Sequence, residues 1–209
     1  MIDKLFQIED FDTNLIPQLE INLSCPNVIG KPQIGYDLDN LEEYINILNI
    51  EVDSRVTYGF KLPPYFDISH FEIVSNILNK FDKCSFIVCC NSLGNGLFID
   101  IDAKEVVIKP KGGFGGIGGD YILPTALANV NFFYKNLKGK EIVGCGGIKD
   151  SNTCLMHIYA GASRLQIGTH LYENGIDVFG NLKSNLYSHI WKNNLGDIKE
   201  LIGCVKIKN

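Results

Sequence analysis

Five times along the chain a short β-type run gives way to a turn and then to a helix-period run, and that alternation restricts the fold more than any other feature. LEINL (19–23) precedes a helical pattern over 39–49, with Leu38, Leu41, Ile45 and Leu48 on one face. VTYGFK (56–61) precedes a second pattern over 69–81, where Phe71, Val74, Ile77, Leu78 and Phe81 form an apolar stripe. SFIVCC (85–90) is a third strand. After it, LFIDIDAKEVVIK alternates, turns at Asp102–Lys104 and alternates again, which predicts a β-hairpin on the rim. A glycine-rich loop and a helix over 123–137 complete that unit. EIVGC (141–145) with a helix from about Asp150 to Ala160, and RLQIG (164–168) with a helix over roughly 177–192, supply the last two. Repeated strand–helix alternation means a parallel sheet covered by helices, an α/β fold. Periodicity alone leaves open whether five units make a doubly wound sheet or part of a (β/α)8 barrel.

The chain has 209 residues, 45% of them hydrophobic, enough for one sizeable core, so a single domain over 1–209 is expected. A formal charge of −5 argues against nucleic acid or an anionic membrane surface as a partner. A small molecule or another protein fits better. No apolar run approaches the roughly 20 residues that span a bilayer, and MIDKLFQIED lacks the basic and then apolar pattern of a signal peptide, so a cytoplasmic location is expected. Seven cysteines without CxxC pairs suit a reducing compartment. His70, His157, His170 and His189 have no metal-ligand spacing, and core or helix-surface positions account for them without a metal.

Residues of chemical rather than structural type gather just after strand ends, the face on which both kinds of parallel α/β sheet build their sites. GGFGGIGG (112–119) has six glycines in eight residues, so its backbone can approach a ligand closely, or it can simply be a flexible connection. Its match to GxGxxG is weak, because no acidic residue ends the next strand to hold a ribose. GCGG (144–147) and IGT (167–169) end the last two strands and offer backbone N–H groups and the Thr169 hydroxyl to one anion, unless they are only tight turns. Lys61 ends an apolar strand and needs an electron-rich partner there, either a ligand or a neighbouring carboxylate. Asn22, Asn27, Asn91 and Ser92 are neutral donors and acceptors suited to a planar, imide-like ligand. Cys25 sits among them. A thiol can serve as base or nucleophile where its surroundings help, although on local evidence alone a buried structural cysteine is the better explanation.

Together NLSCPNVIGKPQIGYD, KLPPYFD, NSLGNGLFID, VVIKPKGGFGGIGGDYILPTALANV, GCGGI and LQIGT resemble the dihydroorotate dehydrogenases, most closely the soluble class that uses fumarate as electron acceptor. The likeness runs from about residue 18 to about 192. It implies an FMN-containing TIM-type (β/α)8 barrel that oxidises dihydroorotate to orotate in pyrimidine synthesis. It further implies that Cys25 is the base removing the C5 proton while hydride leaves C6. By the same resemblance Asn22, Asn27, Asn91 and Ser92 hold the pyrimidine ring, and Lys61 lies beside the electron-rich edge of the flavin. Gly119, Gly146, Gly147, Gly168 and Thr169 would cradle the FMN phosphate.

Members of the family carry three further strand–helix units before NLSCPN. This chain is therefore expected to form an incomplete barrel of about five C-terminal units plus the rim hairpin. Two readings follow from the resemblance. One is a dehydrogenase with dihydroorotate and fumarate as its reactants, working as a homodimer. The other is a truncated, inactive paralogue that binds a phosphate ligand or pairs with a full-length homologue.

Overall fold

The computed structural model describes residues 18–25, 33–52 and 56–207. The main sheet consists of β1 (Gln18–Asn22), β2 (Thr57–Lys61), β3 (Cys84–Cys89), β8 (Glu141–Cys145) and β9 (Arg164–Gln166), paired in that order and all parallel. Between β3 and β8 lie four rim strands, β4 (Leu93–Leu97), β5 (Ile99–Asp100), β6 (Glu105–Val106) and β7 (Phe114–Ile117). The helices are α1 (Leu41–Glu51), α2 (Ile68–Leu78), α3 (Leu123–Asn136), α4 (Ser151–Ala160), α5 (Thr169–Asn174) and α6 (Val178–Lys192). All five expected strand–helix units are present.

Strand alternation sends the two faces of the sheet to different environments. Tyr58, Phe60, Leu62, Ile87, Cys89 and Ile142 face outward and pack with the stripes of α1, α2 and α3, including Ile45, Val74, Leu78, Val130 and Phe133. Phe86, Val88 and Val143 face the other way and form a separate apolar patch with Cys145. Near the two edge strands that inner face is polar. Gln18, Glu20 and Asn22 of β1 alternate with Leu19 and Ile21, and Arg164 and Gln166 flank Leu165 on β9.

These edge residues show how strongly the sheet is curled. In a flat sheet β1 and β9 would lie roughly 19 Å apart, four strand spacings. Yet Arg164 donates to Gln18 Oε1 at 2.9 Å and Gln166 donates to Glu20 Oε2 at 2.5 Å. Following the ladder from Glu20 leads to Gly59, Phe86 and Glu141, and the β8–β9 register then leads to Ala162. The residue that Glu20 meets, Gln166, lies four positions farther along. Four positions over four inter-strand steps is about one residue per step, the stagger of an eight-stranded barrel with a shear of about eight. The fold is therefore of the α/β, TIM type. Gly59 makes room for the Phe86 ring, since a Cβ there would lie 2.5 Å from its Cγ. The Arg164 guanidinium sits over that ring, 4.9 Å from its centroid, and also pairs with Glu141.

The rim differs from expectation in one respect. A hairpin does turn at 101–104, with Asp100 Oδ1 accepting from the N–H groups of Asp102 and Ala103, but its strands β5 and β6 are only two residues each. The longer ribbon pairs LGNGL of β4 with FGGI of β7, antiparallel. Part of the glycine-rich run is thus strand rather than loop. Glycine leaves no side-chain alternation to read, and it is needed here, since a Cβ at Gly96 would meet Ile117 at 2.2 Å. The short helix α5 also lies where only a connection was expected. Among the described residues no helix is long and apolar enough to cross a membrane.

One buried polar side chain fixes the segment after β2. Asn129 of α3 is fully buried, accepts from the Tyr65 N–H at 2.9 Å and donates to the carbonyls of Tyr65 (3.1 Å) and Thr125 (2.9 Å). Asn129→Leu leaves both backbone groups of Tyr65 buried without partners, and the expected loss of stability is about 2 to 3 kcal/mol, read by urea unfolding.

Candidate functional site

Because the five strands are parallel, the segments that follow them converge on one rim. A cleft of about 560 Å³ opens there, lined from β2, β3, β8 and β9 and by the turn before α3. Lys61, Asn91, Ser92, Gly119, Gly146, Gly147, Gly168 and Thr169, all singled out from sequence, line it.

At one end the polar residues after β1 and β3 are bonded to each other. Asn22 Oδ1 accepts from the Ser24 N–H (3.1 Å) and from the Asn91 amide (3.0 Å). That amide also donates to the Ser24 carbonyl at 2.6 Å, and Asn91 Oδ1 accepts from the Ser92 N–H at 2.7 Å. The segment carrying Ser24 and Cys25 is therefore held against the end of β3. Cys25 itself is an exposed free thiol directly beyond this knot. Asn27 lies outside the described residues.

In the floor, Lys61 projects from the inner face of β2. Its Nζ donates to Gln166 Oε1 at 3.0 Å and lies 3.9 Å from Glu20 Oε1. The carboxylate expected as one possible partner of Lys61 is thus present, while 22% of the lysine side chain remains exposed toward the cleft. Cys90 and Cys145 line the same floor. Burial pushes the Cys90 thiol up to about 12, and burial also raises Cys145, opposed there by the nearby Lys61 ammonium. Burial thus favours the neutral thiol at both positions.

At the other end three turns meet. Gly119 has φ +63°, Gly146 +124° and Gly147 +73°, all in the region that favours glycine. A Cβ at Gly147 would lie 2.5 Å from Leu123 Cβ, so the turn after β8 packs directly on the start of α3. Gly118 and Gly119 approach Thr169, whereas Gly168 opens on free space. Three backbone turns and a hydroxyl around an open volume suit a phosphate-sized anion. Lys149 and Asp120 form an ion pair across the mouth, which raises the lysine above its ordinary value. Among the described residues no group of three metal-ligating side chains occurs.

Sequence reasoning missed Glu20, Gln166, Cys90 and Lys149, whereas Cys145 lay within the GCGG turn that it singled out. For Glu20 the signal was available: Gln18, Glu20 and Asn22 put three polar groups on one face of a strand whose other face is apolar. The partnership of Glu20 with Gln166 was not, since it spans 146 positions. His157 was read as a core or surface histidine and proves fully buried. Its ring meets the Gly146 carbonyl through Nε2 at 2.9 Å, and its Nδ1 has no partner.

Comparison with known proteins gives a consistent picture. Residues 3–190 match the family model described as dihydroorotate dehydrogenase. The dihydroorotate dehydrogenase (fumarate) of Trypanosoma cruzi is 47% identical over 188 residues, covering 90% of this chain and 59% of the relative. Those of Lachancea kluyveri and Saccharomyces cerevisiae are 44% and 46% identical, covering 95% and 88% of this chain and 62% and 58% of theirs. The chain thus spans about three-fifths of the length of these relatives. Among solved structures, DHODH from Eimeria tenella in complex with ferulenol superposes with a TM-score of 0.71 over 90% of this chain and 54% of that one. At 18% identity this match speaks for the fold alone.

Burial holds the His157 pKa below its ordinary 6.5. The unfolded chain takes up a proton at this residue as pH falls below 6.5, while the folded chain resists it. The stability it contributes is full above pH 6.5 and is lost as pH falls through the lower folded value, at up to about 1.4 kcal/mol per pH unit. Urea midpoints measured from about pH 7 to about pH 5 should fall, and His157→Gln should remove that part of the slope.

Proposed function

This chain belongs to the dihydroorotate dehydrogenase family, and on that premise we propose that it carries out the oxidation of dihydroorotate to orotate in pyrimidine biosynthesis, with FMN as cofactor and fumarate as final electron acceptor. The observation that supports this best is the convergence on one rim of an amide cluster beside a free thiol, a lysine-bearing floor and three glycine turns. We read the sheet as five consecutive strand–helix units of a (β/α)8 barrel.

The residues present fit FMN. The turns at Gly118–Gly119, Gly146–Gly147 and Gly168–Thr169 would hold its phosphate through backbone N–H groups and the Thr169 hydroxyl. When bound, FMN supplies the acceptor for the hydride. Lys61, kept in place by Gln166 and Glu20, provides positive charge in the floor of the cleft. Asn22, Asn91 and Ser92, with Asn27 from the segment outside the described residues, would hold the planar ring of the substrate. Cys25 takes the proton from the ring carbon, and the bonds from Asn22 and Asn91 around Ser24 keep its segment at the rim. A homodimer is part of this reading. The rim leaves Phe98, Ile99, Ile101 and Val107 exposed, and a second copy would cover them.

Anaerobic dihydroorotate should bleach the visible absorbance of the FMN-loaded protein, and fumarate should restore it. An FMN-loaded protein that dihydroorotate leaves oxidised would refute the assignment. Cys25→Ser should slow flavin reduction at neutral pH by about 100-fold or more, since a hydroxyl is a poorer base, while orotate affinity stays close to that of the unaltered chain.

A further inference from the structure

Gly144, Gly146 and Gly147 leave the end of β8 and the turn after it with little side-chain constraint of their own. A turn that must present N–H groups in a fixed direction needs something outside itself to hold it. His157 stands directly behind. It lies on α4 with no exposed surface, and its ring occupies the space that a side chain at residue 144 would need. A Cβ on Gly144 would fall 2.5 Å from Nδ1. With Nδ1 unpartnered and Nε2 at 2.9 Å from the Gly146 carbonyl oxygen, the ring is the neutral tautomer that donates from Nε2.

The direction of that bond sets the direction of the next donor. The peptide between Gly146 and Gly147 is planar and trans, so the Gly147 N–H points opposite to the Gly146 carbonyl. The carbonyl is turned toward α4. The N–H is therefore turned away from α4, and Gly147 lines the cleft. Were this peptide to rotate, it would present an oxygen to the anion instead of a donor. We propose that His157 is the positioning residue of the cradle: by engaging the Gly146 carbonyl from behind, it aims the Gly147 N–H at the phosphate of the cofactor. The inference rests on the reading of the cleft as an FMN site given above.

Comparison of FMN with riboflavin, which lacks the phosphate, separates positioning from core filling. His157→Leu should weaken FMN binding about tenfold, as read by quenching of flavin fluorescence, and leave riboflavin affinity unchanged. His157→Gln, whose amide can reach Gly146 in place of Nε2, should recover most of the loss. If the leucine variant fails to fold, His157→Asn replaces it, since its shorter amide falls where Nδ1 sits and cannot reach Gly146. Equal losses for both flavins, or none for either, would overturn the proposal. If the unaltered chain binds neither flavin, the reading of the cleft fails. The inference about His157 is then decided by the Gly147 amide resonance, which should move in the leucine or asparagine variant and return in the glutamine variant. A Gly147 resonance indifferent to all of them would overturn it.

Discussion

Parallel pairing in a fixed register is the constraint on which the site depends. Asn22 sits opposite Lys61, Lys61 opposite Val88, Val88 opposite Val143 and Val143 opposite Arg164, so one row of residues crosses the whole sheet near its C-terminal edge. Side chains in a strand alternate between faces, and a slip of one residue in β2 would send Lys61 into the helix-facing core and bring Phe60 to the inner face. The apolar outer set of Tyr58, Phe60 and Leu62 forbids that slip, because all three are fully buried against helices. Core packing on one face of the sheet thereby fixes where the chemistry stands on the other.

The inner face is a compromise between packing and polarity. Its centre is filled by Phe86, Val88 and Val143, while Gln18, Glu20, Arg164 and Gln166 meet across the curl of the sheet. Polar groups in such a place are tolerated when they bond one another, and these do. The same network gives Lys61 two anchors, one neutral and one charged. A lysine so held keeps its ammonium in the floor of the cleft instead of swinging into solvent, and this is the condition for its charge to act on whatever lies above it.

Much of this was legible in the sequence because it is written in side-chain periodicity. Each helix stripe, such as Phe71, Val74, Ile77 and Leu78 in α2, and each apolar strand was readable from spacing alone. What escaped has a physical reason in each case. β7 is built from FGGI, in which glycine erases alternation, and α5 has six residues, too few to show a helical period. The polar and glycine residues at strand ends were recognisable one by one as candidates. Their convergence depended on topology, since Asn22 meets Asn91 across 69 positions. Lys61 was legible as needing a partner, but not as having both a carboxylate and an open side.

A common device runs through the rim. Its turns are built on glycine, which leaves the backbone accessible from the cleft but by itself would leave them loose. Buried or half-buried polar side chains on neighbouring helices fasten the segments after β2 and β8 from behind. Asn129 of α3 holds both backbone groups of Tyr65 after β2, and His157 of α4 holds the Gly146 carbonyl after β8. Thr153, locked in a reciprocal cap with Asp150, accepts from the Lys149 N–H at 3.0 Å and so fixes the far end of the same turn. Glycine supplies access and the helices supply rigidity, so the donors are already aimed before any ligand arrives. A ligand that binds such a rim loses little affinity to ordering it. The placement of these buried polar groups is therefore as much part of the site as the residues that line the cleft.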